Sequence, residues 1–462
     1  MSYNISSILN TDSYKTSQKW QYPDGTEYVY SYIESRGGAW DQVVYFGLQS
    51  FLREYLSKPI TQADIDEAEL IITAHGEPFN RAGWQYIVDN HTGYLPLEVR
   101  AVDEGTILPV SNVLVTVVNT DPNCFWLTSY IETALLRAVW YGTTVATNSY
   151  ESKKLIYQAM LETSDSTDGL AFKLHDFGAR GVSSEESAAL GGTAHLVNFM
   201  GTDTISALLA AKRYYDADMA GFSIPAMEHS TVTSWGRENE VSSYRNMLNQ
   251  FAKPGAIIAA VSDSYDIYNA CKLWGTELKD QIVQSGATLV VRPDSGEPAI
   301  VVVKCLKILD KYFGHTVNSK GYKVLNNVRV IQGDGIDHAS IRSILFSMDL
   351  AGFAVDNIAF GQGGALLQQI NRDTLKFAMK CSAIRVNGEW RDVYKDPITD
   401  SGKRSKKGLL GLVQMVGGYY ATVPQDQAGG KNFLKLRFRN GELFNQTTFS
   451  EVRERANKPF TV

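Results

Sequence analysis

The chain has 462 residues, of which 44% are hydrophobic and 20% are charged, so it has the apolar material for a large core and is not a disordered chain. A net charge of -6 disfavours general attachment to nucleic acid, no apolar run approaches the roughly 20 residues that cross a bilayer, and the first residues lack a signal peptide; we therefore expect a cytoplasmic protein that binds neither nucleic acid nor membrane. The four cysteines, at positions 124, 271, 305 and 381, lie too far apart for a zinc site or a disulfide framework and are expected to be buried thiols.

Strand-like runs and amphipathic helices alternate in the first part of the chain. Apolar runs predict strands at 28–33 and 114–118. One helix is predicted to begin with Asp121 as its cap and Pro122 in its first turn, and to end at Gly142. Another predicted helix carries on one face the residues Val44, Leu48, Phe51, Leu52, Tyr55 and Leu56.

From about residue 170, a short apolar run, a polar loop with glycine and an amphipathic segment recur in that order. Such runs are typical of buried parallel strands, and the segments between them have the length of crossover helices. The pattern predicts an α/β barrel or an open doubly wound sheet, and six units in roughly 200 residues favour an irregular barrel. The predicted strands are 171–174, 220–224, 256–261, 288–291, 328–331 and 357–360, and the predicted helices are 266–284, 299–312 and 338–350.

Strand character returns from about residue 375, and the polar, basic stretch 395–408 is predicted to be a loop. We therefore expect two domains. An α+β domain at 1–150 is completed by residues 375–462, and an α/β barrel occupies 151–374.

The residues that follow the apolar runs are the best candidates for a site, because ligands of parallel α/β folds bind at the carboxyl ends of the strands. Arginine side chains and exposed backbone N–H groups bind phosphate, and carboxylates bind ribose hydroxyls or magnesium. The combination indicates a sugar-phosphate site, although any one glycine pair is compatible with a tight turn and any one Asp with a helix cap. The loops read HDFGARGVSS, PAMEHS, SDSYD, RPDSG, QGDGID and GQGG.

Longer motifs at the same loops resemble those of the nicotinamide phosphoribosyltransferases. The resemblance implies the irregular α/β barrel of the type II phosphoribosyltransferases, with an α+β domain formed by the N-terminal residues and C-terminal strands, and a homodimer with its active sites at the subunit interface. It also implies a reaction of nicotinamide with phosphoribosyl pyrophosphate in NAD salvage, which forms nicotinamide mononucleotide and pyrophosphate and uses Mg²⁺ and ATP. The motifs, within residues 11–408, are TDSYK, YSYIESRG, LHDFGARGVSSEESAALGGTAHLVNFMGTDT, IPAMEHST, VSDSYDIYNA, RPDSGEP, VIQGDGID, NIAFGQGGALLQ and KDPITDSGKRSKKG.

The resemblance implies that the pyridine ring is stacked between Phe177 and Tyr14 of the partner subunit. Asp203 is implied to accept a hydrogen bond from the carboxamide NH2, which would favour an amide over an acid. Arg180 and Arg292 are implied to bind the carboxamide oxygen or the pyrophosphate. The alternatives are a helix cap for Asp203 and plain core packing for the two aromatic rings.

The remaining implied roles concern ribose, metal and phosphates. Asp294 and Asp334 are implied to bind ribose hydroxyls, Asp263 is a candidate magnesium ligand, and Asp263 and Asp294 are candidate catalytic residues. Most of the basic run at 403–407 is expected to be solvated, although it could close over phosphates. The residues implied to bind phosphates are Arg36, Gly333, Gly363, Gly364, Arg372, Lys380 and Lys395.

His229 is the third candidate catalytic residue, because the resemblance implies that ATP phosphorylates it and that hydrolysis of the phosphohistidine is coupled to product formation. Its neighbour Glu228 could hold the imidazole in one tautomer. A structural histidine is the alternative, and it is the interpretation that we favour for His195 and His75.

Three other functions fit the sequence less well than this one. A nicotinate phosphoribosyltransferase would have the same fold, but Asp203 would repel its acidic substrate. A catalytically silent protein would be expected to have lost site residues, which are present. A sugar-phosphate aldolase or isomerase would be expected to have a strand-end lysine, which the loops lack. Ala179 and Gln362 lie at motif positions where other residues are acceptable, so neither changes the assignment.

Overall fold

The computed structural model describes residues 5–399 and 404–460, which form two compact units. The first unit comprises the residues up to Thr147, Ala210–Ala217 and the residues from Ile370. The second comprises Asn148–Leu209 and Asp218–Gln369. Within the described ranges, no helix combines the length and apolarity that a membrane span requires.

A seven-stranded antiparallel sheet forms the centre of the first unit. The strands predicted at 28–33 and 114–118 are confirmed and lie side by side in it. The strand Thr26–Ser35 also pairs, along its other edge, with Phe377–Val386 from the C-terminal part of the chain. Residues more than 300 positions apart in the sequence therefore share one core. In sheet order, the strands are Glu389–Asp392, Phe377–Val386, Thr26–Ser35, Val113–Asn119, Leu97–Ala101, Lys435–Arg439 and Glu442–Leu443.

Two short antiparallel strand pairs and several helices complete this unit. The strand pairs are Gln42–Val44 with Ile107–Pro109 and the hairpin Leu410–Gln414 with Tyr420–Pro424. The helices are Leu48–Phe51, the π-helix Leu52–Leu56, Gln62–Ala74, Arg81–His91, Leu127–Tyr130, Gln425–Ala428 and Phe449–Asn457, and the 3₁₀ turns are Ser13–Lys15, Gln18–Trp20, Pro122–Cys124, Arg372–Thr374, Gly429–Lys431 and Lys458–Phe460. The long helix Glu132–Thr163 belongs to this unit only as far as Thr147.

Two details of the predicted helices are wrong. Val44 belongs to a strand, so the helix that was predicted to include it begins at Leu48. Gly142 does not end a helix, because Glu132–Thr163 continues through it. The glycine serves close packing instead: a Cβ there would lie 2.9 Å from the backbone oxygen of Phe46. Asp121 caps only the short turn Pro122–Cys124.

The second unit is built on six parallel strands. In sheet order they are Gly201–Thr202, Leu174–Asp176, Ile358–Gln362, Val328–Gln332, Thr288–Arg292 and Ile257–Val261. Four of the six predicted runs are confirmed as strands. The predicted run 171–174 overlaps the strand Leu174–Asp176 only at Leu174, because Asp168–Phe172 is a 3₁₀ turn. The strand Gly201–Thr202 was missed because two residues give no periodic signal.

The sixth predicted run, 220–224, is not a regular strand, yet it closes the sheet. Phe222 pairs with Gly201 at one edge, and Ala226 pairs with Ala259 at the other. The backbone N–H of Thr202 donates to the oxygen of Phe222 at 3.1 Å, and that of Met227 donates to the oxygen of Ala259 at 2.9 Å. One segment therefore reaches both edges, which confirms the irregular barrel rather than an open sheet.

Helices connect the parallel strands. Pro298–Phe313 and His338–Leu350 are confirmed, whereas the segment predicted as 266–284 is two helices, Ile267–Thr276 and Lys279–Ser285. The other helices of this unit are Glu185–His195, Ile205–Tyr215 as far as Leu209, His229–Thr233, Glu240–Phe251 and Gly364–Leu367. The 3₁₀ turns are Asp168–Phe172, Ala179–Gly181, Arg237–Asn239 and Val355–Asn357, and a small hairpin pairs His315–Val317 with Lys323–Leu325.

The two ends of the barrel differ in the residues that they carry. Its middle is filled by small and branched side chains, including Ala259, Val290 and Ile331. At the amino ends of the strands, Lys173 donates hydrogen bonds to the backbone oxygens of Val355 and Ile358 at 2.8 and 2.9 Å, and burial lowers its pKa to about 8. The carboxyl ends carry the polar loops that the sequence indicates as candidates, and ligand sites of parallel α/β folds lie at this end.

We expect Gly142→Ala to lower the free energy of unfolding by about 1–3 kcal/mol, because overpacking a tight contact costs that much and outweighs the roughly 1 kcal/mol by which alanine is the better helix former. Thermal denaturation followed by circular dichroism measures the effect. Gly169→Ala is the control, since a Cβ there would meet its nearest neighbour, Lys173, only at 3.9 Å. Equal stability of the Gly142→Ala and wild-type proteins would contradict the close contact with Phe46.

Candidate active site

Phe177 and Asp203 come together because their strands are neighbours in register. His175 pairs with Gly201, and Asp176 pairs with Thr202, so Phe177 and Asp203 are the next residues along the two strands. The backbone N–H of Asp203 also donates to the oxygen of Asp176 at 2.9 Å. Two residues separated by 26 positions thus lie side by side at the carboxyl rim of the barrel.

Glycines make room for the aromatic rings inside the rim. A Cβ on Gly361 would lie 1.9 Å from the ring of Phe177, and one on Gly333 would lie 3.3 Å from it. A Cβ on Gly201 would likewise lie 2.5 Å from the imidazole of His175. The ring of Phe177 therefore lies directly over backbone, and its exposed face is available for a flat ligand.

Asp203 has one oxygen engaged and one oxygen open. Its Oδ1 accepts a hydrogen bond from the Ser223 hydroxyl at 2.6 Å, and no described residue donates to Oδ2. The side chain is exposed, and among the described residues no backbone N–H of the following helix Ile205–Tyr215 donates to it. Ser223, which the sequence analysis missed, thus orients a carboxylate that can still accept one hydrogen bond from a ligand.

Asp263 organises the opposite part of the rim. Its Oδ1 lies 2.9 Å from Nε2 of His229, while Oδ2 accepts the backbone N–H of Asp294 at 3.1 Å and the hydroxyl of Ser295 at 2.6 Å. With Asp263 ionised, Nε2 carries the proton and Nδ1 of His229 presents its lone pair. Ser295 was also missed, although it lies within the quoted RPDSG motif.

Glu228 does not have the role suggested for it. It precedes the helix His229–Thr233 as its cap and accepts the hydroxyl of Ser230, which is the main reason why its pKa is lowered. The histidine is held by Asp263 instead, a partner that only the tertiary structure provides. The charge of Arg180 acts on Glu228 as well, so Arg180 faces the same part of the rim.

Arg292 and Asp294 end the adjoining strand and lie 3.6 Å apart between Nη2 and Oδ2. The Nε of Arg292 is buried and has no hydrogen-bond partner among the described residues. A guanidinium with an unused donor at a rim of glycine loops is suited to an anion.

The three candidate glycines lie beside this arginine's rim. A Cβ on Gly333 would be 3.6 Å from the carboxylate of Asp294, and one on Gly363 would be 3.7 Å from the backbone oxygen of Phe177. Gly364 begins the helix Gly364–Leu367. Asp334 is exposed in the same loop as Gly333, whereas the nearby Asp337 is occupied as a helix cap.

The other predicted binding residues belong to the first unit. Lys380 lies near Arg36 and Lys395, and its pKa is lowered by burial and by these positive charges, although Glu132 opposes the shift. The Nη2 of Arg36 is buried without a hydrogen-bond partner among the residues described. The three cations, with Lys15, form a cluster suited to phosphate.

Tyr14 and Arg372 are exposed on the first unit, and Arg372 pairs with Asp373 at 3.1 Å. In the basic run, Lys403 lies outside the described residues, and Lys406 forms an ion pair with Glu34.

Asp263 and Asp294 are the residues that could hold a divalent cation at the rim. Their loops are joined by a hydrogen bond, and oxygen donors are the ligands that Mg²⁺ requires. A second cluster, His91, Asp121 and Cys124, has metal-binding residue types. However, Asp121 is already engaged by His91 and by other donors, and burial raises the pKa of the Cys124 thiol to about 12, so the thiolate is disfavoured.

Two predictions of structural roles are confirmed, whereas the structural role predicted for His75 is wrong, because its side chain is exposed. His195 is fully buried, with Nδ1 2.9 Å from the Ser149 hydroxyl and its ring stacked on Phe199. Cys124, Cys271 and Cys305 are buried free thiols, while Cys381 is only partly buried.

Comparisons with known proteins place the chain among enzymes of pyridine nucleotide metabolism. Residues 172–442 match the nicotinate phosphoribosyltransferase family, and residues 6–99 match the N-terminal domain of nicotinamide phosphoribosyltransferase. A nicotinamide phosphoribosyltransferase of Xanthomonas campestris is 57% identical over 99% of each chain, and one of Acinetobacter baylyi is 33% identical over 98% of each.

Solved structures share the fold at low sequence identity. Nicotinate-nucleotide pyrophosphorylase from Pyrococcus furiosus has a TM-score of 0.65 at 16% identity and covers 100% of this chain and 98% of its own. Human nicotinic acid phosphoribosyltransferase has a TM-score of 0.56 at 16% identity, with 97% and 93% covered. Both support the type II phosphoribosyltransferase fold.

We expect His175 to make the protein less stable in mild acid. Burial lowers the pKa of its imidazole below the usual 6.5, although the charge of Asp203 opposes this. The unfolded chain therefore takes up the proton first, and the free energy of unfolding falls as the pH drops through 6.5. His175→Gln has no imidazole to protonate at this position. Its free energy of unfolding should therefore rise relative to that of the wild type as the pH falls from about 7 to about 5.

Urea unfolding at several pH values measures this difference. His338, whose pKa burial also lowers, is present in both proteins and cancels in the comparison. His75→Gln, at an exposed position, is the control. A stability difference between His175→Gln and wild type that is independent of pH would contradict the expectation.

Proposed function

The chain belongs to the nicotinate phosphoribosyltransferase family and is therefore a phosphoribosyltransferase, and from this premise we propose that it joins nicotinamide to phosphoribosyl pyrophosphate, forming nicotinamide mononucleotide and pyrophosphate in NAD salvage. It acts as a cytoplasmic homodimer, with Mg²⁺ and with ATP as an activating co-substrate. The full-length relatives that carry the nicotinamide name support the choice of substrate.

The carboxylate of Asp203 is the observation that carries the proposal. Ser223 occupies Oδ1, Oδ2 is open, and Asp203 stands next to Phe177 in the strand register. A carboxamide NH2 donates to such an oxygen, whereas the carboxylate of nicotinate would be repelled by it. The site therefore selects the amide by charge as well as by hydrogen bonding.

The pyridine ring stacks on the exposed face of Phe177, and Tyr14 of the partner subunit covers its other face. Offset stacking contributes roughly 0.5–1.5 kcal/mol beyond burial. The ring becomes a cation when the glycosidic bond forms, and aromatic faces stabilise cations. Tyr14 is exposed on its own subunit, as a residue that serves a neighbouring chain should be.

In the reaction, the pyridine nitrogen attacks C1 of the ribose with its free lone pair, and the bond from C1 to the pyrophosphate oxygen breaks. No general base is needed. Arg292, with its unused Nε, offsets the growing charge of the pyrophosphate, and Asp294 and Asp334 hold the ribose hydroxyls. Asp263 and Asp294 would hold Mg²⁺, which when bound would supply further neutralisation of the phosphate charge.

Phosphates are held by two groups of residues. Gly333, Gly363 and Gly364 offer backbone N–H groups to the 5′-phosphate. Arg36, Lys380 and Lys395, which are clustered on the first unit, and Arg372 contribute positive charge.

His229 couples ATP to the reaction. Because Asp263 accepts the proton of Nε2, Nδ1 is free to attack the γ-phosphorus of ATP. The bond from that phosphorus to the oxygen of ADP breaks, and the imidazole becomes a phosphorylated cation that the Asp263 carboxylate stabilises. Water later takes the phosphoryl group and restores the neutral ring.

We expect purified protein with phosphoribosyl pyrophosphate, Mg²⁺ and ATP to use nicotinamide at least about 100-fold more efficiently than nicotinate, a ratio of kcat/KM equivalent to about 2.7 kcal/mol. Asp203→Asn should reduce that ratio at least tenfold, because the amide no longer repels an acid. Liquid chromatography of the two mononucleotides from a competition assay measures both ratios.

Asp280→Asn, an exposed Asp on the helix Lys279–Ser285, makes the same chemical change away from the rim and serves as the control. A wild-type preference for nicotinate would show that the substrate is the acid. An unchanged preference in Asp203→Asn would remove Asp203 from its role.

We expect ATP labelled in the γ-phosphate to leave an acid-labile, alkali-stable label on the protein, and His229→Gln to abolish it. A glutamine amide nitrogen can replace Nε2 opposite Asp263 but has no counterpart of the nucleophilic Nδ1. Asp263→Ala should reduce labelling at least tenfold, because the imidazole loses the group that sets its tautomer. Label that persists at the wild-type level in His229→Gln would place the phosphoryl group elsewhere.

A further inference from the structure

Asp176, directly before the site residue Phe177, has no role in the chemistry above, yet it lies at the centre of the pyridine end. Its side chain is fully buried. Oδ1 accepts the backbone N–H of Gly178 at 2.7 Å, in the loop that carries Phe177 and Arg180. Asp176 therefore holds the first wall of the pyridine pocket through its carboxylate.

The same residue reaches the second wall by two routes. Its backbone oxygen accepts the N–H of Asp203 at 2.9 Å. Its Oδ2 lies 3.5 Å from the hydroxyl of Thr202, which itself accepts the N–H of Thr204 at 3.0 Å. The residues on both sides of Asp203 are thus tied, directly or through one hydroxyl, to Asp176.

Close packing leaves this carboxylate no freedom to move. A Cβ on Gly192 would lie 3.0 Å from Oδ2 of Asp176 and 2.6 Å from Cβ of Ala207, so the helices Glu185–His195 and Ile205–Tyr215 close around it. A Cβ on Gly178 would lie 3.0 Å from Oδ1. Glycine at positions 178 and 192 therefore leaves the space that the carboxylate of Asp176 occupies.

The charge environment makes Asp176 costly for the fold. Burial raises the pKa of its carboxyl, the hydrogen bond from Gly178 lowers it, and the negative charge of Asp203 raises it again. Its hydrogen-bond donors are a backbone N–H and the hydroxyls of Thr204 and Thr202, which also lower the pKa and which compensate burial of an acid less well than a cation does. A buried acid at this position therefore calls for a reason beyond stability.

We propose that Asp176 is a positioning residue for pyridine recognition, which sets the separation between the ring of Phe177 and the carboxylate of Asp203. The inference rests on the proposed function, because it takes these two residues as the pyridine site. It concerns the base alone, with Arg180 on the loop that Asp176 holds taken as binding the carboxamide oxygen. Arg292, Asp294 and Asp334, which bind phosphoribosyl pyrophosphate, lie at or after the ends of other strands, so binding of that substrate should be little affected.

Steady-state kinetics with each substrate varied in turn tests the proposal. Asp176→Ala should raise KM for nicotinamide at least about tenfold and leave KM for phosphoribosyl pyrophosphate within about twofold of wild type. It should also lower the ratio of kcat/KM for nicotinamide to kcat/KM for nicotinate. Calorimetric binding of nicotinamide should weaken in parallel, which separates binding from chemistry.

Two milder variants keep the test decisive if Asp176→Ala folds poorly. In Asp176→Asn, the amide oxygen can accept from Gly178 while its nitrogen donates to Thr202, so KM for nicotinamide should stay within about threefold of wild type. Thr202→Val keeps the shape but removes the hydroxyl, and should raise that KM by about two- to fivefold, again without affecting the other substrate. Asp280→Ala is the surface control.

An unchanged KM for nicotinamide in folded Asp176→Ala or in Thr202→Val would overturn the proposal, and so would an equal rise of KM for both substrates, which is the mark of a merely structural role. Failure of the proposed function is distinguishable, because it appears in the wild-type assay, as an absence of nicotinamide mononucleotide, before any variant is made.

Discussion

The backbone pairing that closes the parallel sheet is the constraint on which the rest of the second unit depends. The segment that joins Phe222 to one edge and Ala226 to the other converts a row of strands into a ring. Parallel strands in a ring present all their carboxyl ends on one side. Loops from residue 177 to residue 364 therefore meet around one opening, although the chain separates them by helices.

Within that ring, two aspartates arrange residues at the rim. Asp263 connects His229 with the loop of Asp294, and Asp176 connects the loop of Phe177 with that of Asp203. Both oxygens of each carboxylate accept hydrogen bonds from protein donors. A charge-selective, flat binding site and a nucleophilic imidazole can then be held in fixed geometry before any ligand arrives, so that less entropy is lost on binding.

Much of the fold could be predicted from local patterns in the sequence. Buried parallel strands are continuous apolar runs, and four of six were placed correctly, as were the helices that follow Asp337 and Glu297. The failures have local causes too. Gly142 has the composition of a helix end but the environment of a contact, and 220–224 has the composition of a strand but pairs only at isolated bridges.

The sequence by itself determined which residue types stand at each strand end, because strand periodicity and glycine-rich loops are local properties of the chain, and it determined the family through long ordered motifs. Only the tertiary structure decided which partner each side chain has. Asp263 rather than the adjacent Glu228 holds His229, and Ser223 holds Asp203, since these contacts join residues 34 and 20 positions apart. Hydrogen bonds act over about 3 Å, and the distances that matter are set by strand register and barrel closure, which no local pattern encodes.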